Sequence, residues 1–67
     1  MEKDILKQLI QIAGSQKELA IKAGVPEPRI SEWLNEKRNV KLSKLIEIST
    51  KLGFEIKFSI NKKTDGI

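Results

Sequence analysis

Apolar residues recur at helical spacing along the first fifty positions, and afterwards they alternate. From Asp4 to Ala13 they fall at Ile5, Leu6, Leu9, Ile10, Ile12 and Ala13, with Lys7, Gln8 and Gln11 between them. Steps of three and four trace one stripe of an amphipathic helix, which Gly14 stops. Ser15-Gln16-Lys17-Glu18 has the S-x-x-E spacing of a capping box. There the serine oxygen accepts the amide three residues on, and the glutamate reaches back. A second helix is predicted over Gln16–Ala23, with Leu19, Ala20 and Ala23 on its inner face. Gly24 supplies the positive φ of a tight turn. Pro26 and Pro28 fit only the first turn of a helix, where amides lack partners anyway. The third helix is therefore expected from about Glu27 to Leu34 or Asn35, burying Ile30, Trp33 and Leu34. A charged loop, Glu36-Lys37-Arg38-Asn39-Val40, leads to a fourth helix at about Leu42–Leu52, ended by Gly53.

The period then changes to two. Phe54, Ile56, Phe58 and Ile60 alternate with Glu55, Lys57 and Ser59, the pattern of a half-buried β-strand. A lone strand leaves its ladder groups unpaired, and no second strand pattern is visible. The expected partner is the same segment of a second protomer, antiparallel across a two-fold axis, with Phe54, Ile56, Phe58 and Ile60 as the dimer contact. The alternatives are pairing with another protein, or an irregular apolar tail folded onto its own bundle. The expected fold is thus mostly α: a compact four- to five-helix bundle with a helix-turn-helix, plus one C-terminal strand paired across a homodimer. Residues 1–60 form one domain, and the polar tail 61–67 is expected to fray.

Composition narrows the chemistry. Sixty-seven residues allow one small core. With neither cysteine nor histidine in the chain, disulfides, zinc sites and histidine acid–base catalysis are excluded. No residues make a nucleophile–base pair, so neither an enzyme nor a cofactor is expected. The net charge of +4 favours a polyanionic partner only mildly; its distribution matters more. Four cations and no acid occur between Lys37 and Lys44. Glu2 and Asp4 argue against a signal peptide, and no apolar run reaches membrane-spanning length, so the expected location is cytoplasmic.

The ordered set Gln16, Leu19-Ala20, Gly24-Val25, Ile30-Ser31 and Trp33-Leu34 resembles the helix-turn-helix of the Cro and phage-repressor family, also called XRE-type. Leu34-Asn35, Lys37-Arg38-Asn39, Leu42, Leu45, Ile48 and Leu52-Gly53 resemble that family's loop and fourth helix, so the likeness covers about Ser15–Gly53. It implies double-stranded DNA as partner, bound at a palindromic operator by a dimer. Position by position, it implies a phosphate contact for Gln16 and base contacts for Glu27, Pro28, Ser31 and Glu32. Arg29 would reach a base or the backbone, and Lys37, Arg38, Asn39, Lys41 and Lys44 would clamp phosphates. The chain departs from the family pattern at Pro26, Glu27, Glu36 and Val40, and two acids, Glu27 and Glu32, face the supposed groove.

Three functions follow as expectations. The first is a homodimeric transcriptional repressor. The second is an antitoxin that binds operator DNA and a toxin protein, because a strand after the helical domain resembles HipB-like antitoxins. The third is an interaction module that keeps the fold without binding DNA.

Overall fold

The computed structural model describes residues 1–57, and these form four helices: α1 (Glu2–Ala13), α2 (Gln16–Ala23), α3 (Glu27–Leu34) and α4 (Leu42–Lys51). α2 begins at Ser15, whose hydroxyl oxygen accepts the Glu18 amide at 3.0 Å. The return bond from the Ser15 amide to the Glu18 carboxylate is not formed among the described residues. Each helix contributes a buried stripe. Leu6, Leu9 and Ala13 come from α1, Leu19, Ala20 and Ala23 from α2, Ile30 and Trp33 from α3, and Leu45 and Ile48 from α4. Ser49 is the one buried polar side chain among the described residues, and its hydroxyl donates to the Ile46 carbonyl at 2.8 Å, so its burial leaves no donor stranded. α3 rests on α1 and α2 rather than on α4, which leaves a cleft between α3 and the start of α4. None of the described helices is long and apolar enough to cross a membrane.

Three helices end in the same way. After α2, the Val25 amide reaches back to the Ala20 carbonyl (3.1 Å) and the Gly24 amide to that of Ile21 (3.3 Å). After α3, Lys37 bonds Glu32 (2.9 Å) and Glu36 bonds Trp33 (3.3 Å). After α4, Phe54 bonds Ser49 (2.9 Å) and Gly53 bonds Thr50 (3.0 Å). These paired bonds are the Schellman closure, which needs one residue in the left-handed region. Gly24 (φ 73) and Gly53 (φ 83) supply it after α2 and α4, but after α3 the position is held by Glu36 at φ 58.

A side chain in that region costs roughly 1–2 kcal/mol, partly offset because glycine would loosen the unfolded chain by about 0.4–1 kcal/mol. The Lys3–Glu36 ion pair is 3.8 Å long with the glutamate 75% exposed, so it adds little. Glu36→Gly is therefore expected to raise the melting temperature, by about 2–8 °C for a net gain of ~0.5–1 kcal/mol, measured by circular dichroism at 222 nm.

The expected C-terminal strand is not formed over Phe54–Lys57, the part of it that the structure describes. No strand occurs among the described residues, and Phe54–Lys57 lie outside any regular element. Phe54 spends its amide closing α4, and Ile56 packs, half-buried, against the protein's own core. The described part of the stretch thus carries no strand: Ile56 rests on its own bundle and Phe54 is exposed. Phe58, Ile60 and the tail 61–67 lie outside the described residues.

Candidate nucleic-acid interface

The α2–Gly24–α3 unit seats α3 on α1 and α2, with Ile30 and Trp33 turned inward. The opposite side of α3 is polar. Glu27 and Pro28 are exposed in its first turn, while Arg29, Ser31 and Glu32 are half-buried. Glu27 suits the helix N-terminus, whose dipole favours an acid, and its carboxylate forms no ion pair among the described residues. Pro28 sits early in α3, where its missing amide hydrogen costs nothing.

Two side-chain bonds organise this surface. The Ser31 hydroxyl donates to Gln16 Oε1 at 3.0 Å, tying the start of α2 to the middle of α3. That bond uses the oxygen of the Gln16 amide and leaves its NH2 group free to donate to an anion. On the other side of α3, Arg38 Nε donates to Glu32 Oε1 at 3.2 Å, and Arg29 Nε approaches the same oxygen at 3.6 Å. One carboxylate thus gathers two guanidinium groups, one from α3 and one from the loop behind it.

Arg29 and Arg38 also line the cleft between α3 and α4, together with Trp33, Asn39, Lys41 and Lys44. The cleft opens onto the first turn of α4, where Lys41 is the cap residue and no side chain bonds the free amides. Such a helix end attracts anions. Lys44 also holds Glu47 at 3.3 Å, so part of its charge is answered within the helix. Other lysines have structural partners: Lys22 Nζ donates to the Ala13 carbonyl (3.4 Å) and Lys51 Nζ to that of Ala23 (3.2 Å), satisfying the last turns of α1 and α2.

The structure therefore brings together Gln16 with Ser31, and Arg29, Glu32, Arg38, Asn39, Lys41 and Lys44 around the cleft. Lys37 is exposed beside them, with its amide bound in the turn. The Arg29–Glu32 pair has the i, i+3 spacing of a helical ion pair, a local signal that Gln16–Ser31 and Glu32–Arg38 lack. No periodicity marks those two, because each spans a chain reversal.

A helix with an outward polar side beside a cationic cleft, on a four-helix core, defines a small protein of helix-turn-helix type. The chain belongs to the bacterial toxin YdaS family, whose model matches residues 6–59. No curated protein and no solved structure matches it. The family is toxin-associated.

Proposed function

We propose that this protein binds duplex DNA by sequence, laying α3 in the major groove as a transcriptional regulator. The observation that carries this reading is one continuous surface. It runs from the Gln16 amide and Ser31 on one flank of α3 to Arg29, Arg38, Lys41 and the open N-terminus of α4 on the other. Donors and cations flanking an exposed helix suit phosphates on both sides of a groove, while the helix itself faces base edges. One α3 reads half a site, so a palindromic operator requires a second protomer, with half-sites about 34 Å apart.

Selection of bound duplexes from a random pool, at stated salt, is the test. An enriched palindromic site is expected, and sedimentation of the complex should show two chains on it. A pool that returns unenriched, with no duplex bound at low salt, would overturn the reading.

Family membership favours a second reading, in which the chain belongs to a toxin–antitoxin pair and also acts on a protein. Expression of the chain alone in bacteria distinguishes the two. Growth arrest that persists in an Arg38→Ala/Lys41→Ala variant points to a protein target, and arrest lost with those cations points to DNA.

A further inference from the structure

We infer that Glu32 reads no base and is a positioning residue, one that holds Arg29 and Arg38 away from indiscriminate phosphate contact. This rests on the DNA-binding reading above. The Glu32 carboxylate stands 3.2 Å from Arg38 Nε and 3.6 Å from Arg29 Nε. The same residue fixes the loop through its backbone, since its carbonyl accepts the amides of Lys37 (2.9 Å) and Arg38 (3.3 Å). Arg38 is thus held to Glu32 at both its amide and its guanidinium. An acid on the DNA-facing side of α3 is repelled by phosphates unless it accepts from a cytosine amine or from a neighbouring cation. Here the neighbouring cations are already in place in the free protein.

The pairs are half-exposed, with side-chain exposures of 41% for Glu32, 41% for Arg29 and 53% for Arg38. Exposed pairs are weak, so they are exchanged readily for a well-placed phosphate. A correctly seated duplex, offering phosphates at the right places, takes the arginines from Glu32. On an unrelated sequence, where the seating is imperfect, the carboxylate keeps them. Glu32 thereby widens the gap between specific and non-specific binding.

The test uses the whole chain and fluorescence anisotropy with two duplexes, the selected site and an unrelated one, across a salt series. Glu32→Gln removes the charge at nearly constant volume on a half-exposed position, so the fold is kept. The variant should bind the unrelated duplex about 3–10-fold more tightly. Its log–log salt slope on that duplex should steepen by about 0.9, the value of one added phosphate contact, and base preference should stay the same at every position. In an Arg29→Ala/Arg38→Ala background, Glu32→Gln should leave the slope unchanged. A changed preferred base at one position would make Glu32 a base reader and overturn the inference, and so would an unchanged slope in the single variant. Wild-type protein that binds neither duplex at low salt would remove the DNA-binding reading and this inference with it. Wild-type binding with an unresponsive Glu32→Gln would remove the inference alone.

Discussion

Leu19→Ala is expected to leave much of the chain unfolded at room temperature. Leu19 is fully buried in α2, the helix that packs against α1, α3 and α4 alike. Replacing a buried leucine by alanine costs roughly 2–5 kcal/mol, the transfer of the lost methylene groups plus the cavity they leave. A single core in a chain below about 70–80 residues rarely supplies more than ~3–5 kcal/mol in total. The two numbers are of one size, so the substitution consumes most or all of the margin. Helical ellipticity at 222 nm should drop at room temperature, and the thermal transition should broaden or disappear. Ile21→Ala in the same helix is the control: Ile21 is 65% exposed and should change stability by no more than about 0.5 kcal/mol. Equal effects at the two positions would mean that α2 is not seated as described.

The helical part of this architecture is legible in the sequence because its signals are local. Ser15 at a cap, Gly24 and Gly53 at left-handed positions, and Pro26 at the cap and Pro28 in the first turn of α3 each act within a few residues of where they stand. α2 (Gln16–Ala23) and α3 (Glu27–Leu34) begin and end at those markers. The strand pattern misleads for an equally physical reason. Alternation of apolar and polar residues fits any segment with one side against apolar surface, whether or not a neighbouring strand pairs with it, so the alternation at Phe54–Lys57 does not require a ladder. Ile56 finds its apolar cover on its own bundle, and that cover does not require a second copy. The site is harder to read than the fold. Glu32 and Arg38 are six residues apart, a spacing that would not bring side chains together on one helix. They meet because the chain reverses at Glu36 with φ 58, a conformation usually announced by glycine and here hidden by a charged residue.

That same turn decides which cations are available to a duplex, and here the second large effect is expected. Arg38→Ala combined with Lys41→Ala should weaken binding to the selected site by about 10–100-fold near 0.1 M salt. Each phosphate neutralised contributes about 0.9 to the slope of log affinity against log salt, so two lost contacts should reduce the slope by about 1.8. That full loss is expected on the selected site; on unrelated duplexes, where Glu32 keeps Arg38, only the Lys41 contact goes and the slope should fall by about 0.9. Both residues line the cleft at the start of α4 and both are exposed, so the melting temperature should hardly move. Lys51→Ala offers the opposite pattern. Lys51 Nζ donates to the Ala23 carbonyl at 3.2 Å, so its removal should lower stability by about 0.5–1.5 kcal/mol while leaving the salt slope alone. Anisotropy titrations between roughly 50 and 200 mM salt, run beside thermal melts, separate the two kinds of lysine. If the double variant keeps the wild-type slope, the cleft between α3 and α4 is not where phosphates bind. The polar surface of α3 would then have to engage its partner without the cations that flank it.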